Sequence, residues 1–143
     1  MVPYSEEHVP LYHLWLSDPE MQMLTCTEPV TLQQEYEYQR ECAVREDRIV
    51  MLIEVDGVLI GDVSLFRNDQ MWEVSVMIAR KEDRRQGYAS EALEVVLREH
   101  HITNVMAKVH KDNHASISLF KRSFKQQSDE PDVFGNITFV REQ

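Results

Sequence analysis

Cysteine is scarce in this chain: Cys26 and Cys42 are the two among 143 residues, too few for the disulfide framework of a small secreted domain. No run of roughly eighteen apolar residues offers a membrane span, and no basic segment leading into an apolar one marks a leader. Basic residues are in deficit as well, with Lys and Arg totalling 15 against 25 Asp and Glu, a formal charge of −10. Nucleic-acid binding rests on a basic face that displaces counterions, so this balance argues against that class. An acidic surface instead favours cationic partners such as amines or basic protein segments, although solubility alone accounts for such an excess in many proteins. Repeats, linkers and low-complexity tracts are missing too. With 43% hydrophobic residues, the length suits one domain, residues 1–143, whose core needs neither metal nor disulfide. A reducing, cytoplasmic setting without membrane or nucleic-acid partners is the expectation.

What is present divides by period. Residues 2–4 form a short edge strand, and Ser5 caps a helix with Glu6 and Glu7 in its first turn and Val9, Tyr12 and Leu16 at helical spacing. Asp18-Pro19-Glu20 starts a second helix, and Thr31 with Gln34 three residues on opens a third that runs to about Arg45. From Ile49 the pattern alternates: residues 49–55 and 58–66 flank Asp56-Gly57, a hairpin signal, and residues 67–71 turn into a strand over 72–79. Ala89, Ala92, Leu93, Val96 and Leu97 then share one helical face. A strand over 104–109, a helix capped by Asn113 or its neighbour to about Arg122, and a strand over 134–140 complete the chain. Strand 72–79, crossover helix and strand 104–109 make a β-α-β unit, which inserts one parallel pair into an otherwise antiparallel sheet.

Strand and crossover helix are joined by Arg84-Arg85-Gln86-Gly87-Tyr88-Ala89. A helix N-terminus has unpaired N–H groups and partial positive charge, so it binds anions. Gly87 allows close backbone approach, Ala89 does not obstruct it, and Arg84 and Arg85 add charge-assisted contacts. The ligand inferred is a pyrophosphate. Arg84-x-x-Gly87-x-Ala89 following residues 73–79 resembles the coenzyme-A loop of the GNAT acetyltransferase superfamily, and Asn113-x-x-Ser116-Ile117-x-Leu119-Phe120 resembles its later Asn-and-helix motif. Residues 2–5, 27–36 and 61–66 resemble the N-acetyltransferase 9-like branch, so the likeness covers nearly the whole chain. It implies an α/β (α+β) GNAT fold: a central mixed, mostly antiparallel sheet with one splayed parallel strand pair, helices on both faces, and an abbreviated N-terminal strand. It also implies acetyl-CoA as co-substrate. Pantetheine would bond to the backbone of Met77, Ile78 and Ala79, and pyrophosphate would sit on Arg84, Arg85, Gln86, Gly87, Tyr88, Ala89 and Ser90. Asn113, Ser116 and Phe120 would flank the cofactor, with Phe120 as an apolar wall.

Acetyl transfer needs a neutral amine, a donor at the thioester carbonyl and a proton for the leaving thiolate. Lysine-type amines have a pKa of about 10.4 and α-amines about 7.7 to 8.0, so a carboxylate helps. Glu73, at the start of the cofactor strand, resembles a glutamate of the ribosomal-protein acetyltransferase branch and is the candidate base; the alternative is a solvated strand end or a salt-bridge partner. A backbone N–H at Ile78 or nearby would polarise the carbonyl. Where many GNAT enzymes have an acidic tyrosine this chain has Phe120, which leaves Ser123 or water to protonate the thiolate. Histidine spacings do not suit a metal, and none is expected. Tyr36, Tyr38 and Trp15 either line an acceptor groove or pack in the core. The expected function is an acyltransferase, an acetyl-CoA-dependent N-acetyltransferase acting on a protein or peptide amine by direct attack in a ternary complex. Two rivals stand beside it. One is a non-catalytic acetyl-CoA-binding module for protein, including cytoskeletal, interactions, kept open by Phe120 and the charged residues 80–83. The other is a small-amine acetyltransferase, which differs only in its acceptor pocket.

Overall fold

The computed structural model describes residues 1–69 and 71–142. Alternating residues on both sides of Asp56-Gly57 build a hairpin, β2 (Arg48–Val55) and β3 (Val58–Asn68), which β4 (Met71–Ile78) extends antiparallel. Around it the sheet has the order β1-β2-β3-β4-β5-β7-β6, with β1 at Val2–Pro3, β5 at Val105–His110, β6 at Lys125–Gln126 and β7 at Asn136–Arg141. Among the described pairings, only β4 with β5 is parallel. The expected mixed sheet, with one splayed parallel pair and helices on both faces, is what the chain adopts.

Helices are α1 (Val9–Leu16), α2 (Pro19–Thr25), α3 (Leu32–Val44), α4 (Tyr88–Glu99) and α5 (His114–Lys121). Their starts follow local chemistry. The Asp18 carboxylate accepts from Glu20 N–H at 3.0 Å; Thr31 and Gln34 bond reciprocally at 3.1 and 2.8 Å; Asn113 accepts from Ser116 N–H at 3.3 Å. Each satisfies donors that a helix start leaves open. No described helix is long and apolar enough to cross a membrane.

Parity along the strands sorts the apolar residues into two layers. Ile53, Val63, Leu65, Val74, Val105 and Phe139 pack under α4 and α5, while Val50, Leu52 and Met77 pack with Tyr4, Val9, Tyr12 and Met21 under α1 to α3. A bulge interrupts the register, since Ile53 opposes Gly61 while Glu54 opposes Leu59, and Ile60 is the extra residue. Because a bulge shifts the two-residue alternation by one, Leu59 belongs to the α1–α3 layer, whereas Val63 and Leu65 face the other. Asp62 and Ser64 are thereby turned toward α1 and α3.

Two strand boundaries differ from expectation. The turn placed at 67–71 is tighter, with Asn68 already opposite Met71; Gln70 lies outside the described residues. The last strand begins at Asn136, not at Phe134, because Asp132 Oδ1 accepts from the N–H of both Phe134 and Asn136 at 2.9 Å and winds residues 132–135 into a turn. Phe134 is left 79% exposed. The two-residue β6 carried no apolar signal and was not expected.

Gly61 sits where β3 presses on β4: a Cβ there would collide with the Met77 carbonyl oxygen. Gly61→Ala is therefore expected to destabilise the fold by about 2 kcal/mol or more, as overpacking does, measured as a lowered urea midpoint.

Candidate active site

Strands β4 and β5 pair through two positions, Trp72 with Val105 and Glu73 with Met106. Beyond them β4 follows β3 to Ile78, and β5 follows β7 to His110. The strands fork, and a cleft of about 510 Å³ opens at the fork. Val76, Met77 and Ile78 line it from β4, Met21, Leu24 and Thr25 from α2, and the rest comes from the loop before α4, the first turn of α4, and α5 along its length to Arg122.

Antiparallel pairing decides which backbone groups face the gap. Ala79 N–H donates to Ile60 O at 2.7 Å, and bonded pairs recur every second residue, so Met77 opposite Asp62 and Ser75 opposite Ser64 also direct their amides and carbonyls to β3. Val76 and Ile78 therefore direct theirs into the gap. This revises the expectation for Met77, whose main-chain groups are committed to β3, and for the Ala79 N–H, and adds Val76, which parity alone would have shown once the β3 partner was known. Backbone groups without a partner at such depth call for one from a ligand.

The loop into α4 leaves a second set open. Arg85 and Gly87 take left-handed conformations with φ of 63° and 83°. The first bond of the helix runs from Glu91 N–H to Gly87 O at 3.1 Å, so the N–H groups of Tyr88, Ala89 and Ser90 lack intrahelical acceptors. Arg80 is held by Asp83 at 2.7 Å and Glu82 at 3.2 Å, whereas Arg84 and Arg85 form no ion pair among the described residues. Arg84 Nε donates to Ile78 O at 3.0 Å, bracing the loop on β4 at the lip of the fork. Arg84, Arg85, Gly87, Tyr88, Ala89 and Ser90 all line the cleft; Gln86 is exposed on its outside. Amides and guanidinium groups at one end and strand backbone at the other suit a pyrophosphate joined to an amide-bearing arm.

Other expected residues are dispersed. Asn113 and Ser116 line the cleft, and Asn113 Nδ2 also donates to Leu24 O at 3.2 Å, tying α2 across the fork. Phe120 is 2% exposed in the core, edge-on to Phe124 and stacked with Phe139, so it is not a cofactor wall. Ser123 is exposed beyond α5 and away from the lining. Glu73 stands at the last paired rung, the closed end of the fork, half-buried with Asn68 Nδ2 at 3.5 Å. Four residues of strand, about 13 Å, separate it from Met77. Burial raises its carboxyl pKa, and Lys108 lowers it in part. Trp15, Tyr36 and Tyr38 pack against the α1–α3 layer. Among the described residues no three metal-ligating side chains cluster.

Sequence reasoning missed a buried polar network on that same layer. Asp62, 3% exposed, accepts from Tyr12 Oη at 2.8 Å and Ser64 Oγ at 2.6 Å. Glu35, equally buried, accepts from Tyr4 Oη at 2.8 Å. Burial pushes the Asp62 carboxyl up to about 6 against the pull of its two hydroxyl donors, and raises Glu35 as well. An aspartate inside the apolar run 58–66 was the available signal.

The family model described as acetyltransferase (GNAT) domain matches residues 1–123. The chain is 33% identical to the alpha/beta-tubulin-N-acetyltransferase 9 of Mus musculus over 96% of its own length and 66% of the mouse protein's. With the N-acetyltransferase 9-like protein of Nematostella vectensis it shares 32% identity over 96% of this chain and 79% of that one. Its fold matches a ribosomal L7/L12 alpha-N-protein acetyltransferase solved with coenzyme A, with a TM-score of 0.80 and 14% identity over 99% of this chain and 92% of that one.

Open space surrounds a Cβ at Gly87, so Gly87→Glu is expected to keep the fold, at a strain cost of about 1 kcal/mol, and to abolish acetyl-CoA binding measured by calorimetry. Asp62 yields a pH prediction. Its folded pKa of about 6 lies above the ordinary 3.8, so the native state holds a proton that the unfolded chain gives up. That contribution is full below about pH 4 and lost as pH rises through about 6, amounting to about 3 kcal/mol. Between pH 4 and 7.5, urea unfolding should show Asp62→Asn gaining on the wild type by roughly this amount.

Proposed function

The chain belongs to the GNAT acetyltransferase family, and on that footing we propose that it transfers the acetyl group of acetyl-CoA to a protein or peptide amine, by direct attack within a ternary complex. The observation that carries this is the fork itself: gap-facing backbone on β4, continuous with a helix start without a side-chain cap and flanked by two arginines that form no ion pair among the described residues. Acetyl-CoA supplies the thioester. Tyr88, Ala89 and Ser90 N–H with Arg85 hold its pyrophosphate, the Val76 N–H and carbonyl bond its pantetheine arm as an added strand would, and Asn113 and Ser116 flank the thiol end.

With the arm so placed, the Ile78 N–H is the donor that stabilises the oxyanion formed as the amine attacks. Met21 and Met77 bound the reacting carbon on the α2 side. Phe120 is buried and has no proton to give, and Ser123, next to Arg122, is not itself in the lining; the attacking nitrogen gives up the proton that coenzyme A takes. A formal charge of −10 suits a cationic acceptor. Three of the relatives act, by name, on tubulin, which makes tubulin the first protein acceptor to try.

Purified protein given acetyl-CoA with tubulin, or with peptides bearing free α- and ε-amines, is expected to release thiol in proportion to amine and to add one acetyl group seen by mass spectrometry. Thiol release independent of every amine supplied would sink the proposal.

A further inference from the structure

The face of the fork on which α2 lies carries a carboxylate that this mechanism leaves idle. Asp62 is almost fully buried, and its hydrogen-bond partners are two hydroxyls, Tyr12 and Ser64, with no cation paired to it among the described residues. As a purely structural device this is a poor one, since a buried carboxylate without a counter-charge is costly where an apolar or amide side chain would serve. The bulge at Ile60 is what turns it to this face.

Its location relates it to the chemistry. Asp62 is the direct cross-strand partner of Met77, at a Cα separation of about 5.5 Å for a bonded pair, whereas Glu73 is about 13 Å back along β4. Asp62 thus stands beside the open end of the fork and Glu73 at the closed end. Tyr12 spends its own hydrogen on Asp62, which leaves its oxygen free to accept another; neither residue is part of the cleft lining, and Tyr12 packs in one cluster with Met21 and Met77, which separate it from the cleft that they line.

We propose that Asp62, acting through the Tyr12 hydroxyl, is the proton acceptor for the incoming ammonium group. An N–H bond of the ammonium breaks, its proton passes to Tyr12 oxygen, and the Tyr12 proton passes to Asp62. The neutral amine then forms the C–N bond, the C–S bond breaks with its electron pair on sulfur, and the second nitrogen proton goes to the thiolate. Asp62 returns its proton to solvent by the same route, so each turnover releases one proton. Asp62 is a positioning and proton-holding residue in this scheme, and the proposal rests on the acetyl-transfer reading above. A carboxyl raised to about 6 is ionised at neutral pH and still basic enough to be protonated in turn. Tyr12 from α1, Glu35 and Tyr38 from α3, Tyr4 beside β1 and Ser64 of β3 are the groups around it; His13 acts on Glu35 and Arg48 on Tyr38.

The test is the pH profile of kcat/KM for the full chain, read as thiol release with tubulin or a free-α-amine peptide. An acidic limb near pH 6 is expected in the wild type. Asp62→Asn should lose it and fall about 10²-fold in rate, with acetyl-CoA affinity by calorimetry unchanged. Tyr12→Phe should fall similarly, and Glu35→Gln should keep its rate while the limb moves to lower pH, because a neighbouring negative charge is gone. Should Asp62→Asn not fold, Ser64→Ala replaces it: losing one donor must move the limb upward, and an unmoved limb overturns the proposal. So does an Asp62→Asn enzyme with rate and limb intact, or a limb that vanishes in Glu73→Gln or Glu35→Gln instead. An active wild type matched by Asp62→Asn overturns this proposal alone; a wild type inactive on every amine overturns the acetyl-transfer reading and this one with it.

Discussion

Two strands that part after two shared positions set the problem that the rest of the chain answers. Beyond Glu73 and Met106 the facing edges of β4 and β5 would zip together if nothing held them apart, because each unpaired amide or carbonyl in a buried place costs free energy. Full-length pairing with β3 on one side and β7 on the other fixes both strands independently. Two side chains then occupy the fork: Arg84 takes Ile78 O, and Asn113 reaches Leu24 O from the β5 side. A ligand with amides of its own completes the account that the protein leaves open.

How far the sequence reveals this depends on whether the cause is local. Asp18, Thr31 with Gln34, Asp56-Gly57 and Asn113 act within four residues of themselves, and the structure places each where its chemistry puts it. The loop at Gly87 was legible for the same reason. Where the cause was a distant partner, the pattern misled. Phe134 looked like the start of a strand, yet Asp132 had already committed the backbone to a turn. Ala79 looked free because its partner, Ile60, lies on another strand beyond a bulge that no periodicity announces. Phe120 was placed by analogy with a tyrosine that faces a ligand, but Phe124 and Phe139 offer an aromatic core on the other side of its helix.

Bulge, buried carboxylates and tyrosines belong to one economy of stability. Asp62 and Glu35 each answer to a tyrosine hydroxyl from a different segment, Tyr12 from α1 and Tyr4 from the chain just after β1. Those bonds register the N-terminal segments on the sheet, and Gln39 Nε2 adds a long one to Tyr4 O at 3.4 Å. Apolar side chains would hold these helices at less cost, so what the polar groups add is a fixed orientation of Tyr12 and Tyr4. The buried polar residues among those described, Glu35, Gln39 and Asp62, bond to Tyr4 and Tyr12 on the α1–α3 side. The sheet thus separates an apolar support from a polar layer on the side where α2 meets the cleft.

That asymmetry bears on how an acidic chain accommodates an anionic co-substrate and a cationic acceptor together. Carboxylates more than a Debye length away, about 8 Å at physiological salt, are screened from the loop before α4. Arg80, Glu82 and Asp83 are spent on one another, so the arginine charge left in the lining is that of Arg84, Arg85 and Arg122. On the opposite side Asp62 and Glu35 are buried and bonded to the hydroxyls of Tyr12 and Tyr4, so what they contribute there is fixed hydrogen bonding and not an exposed surface charge.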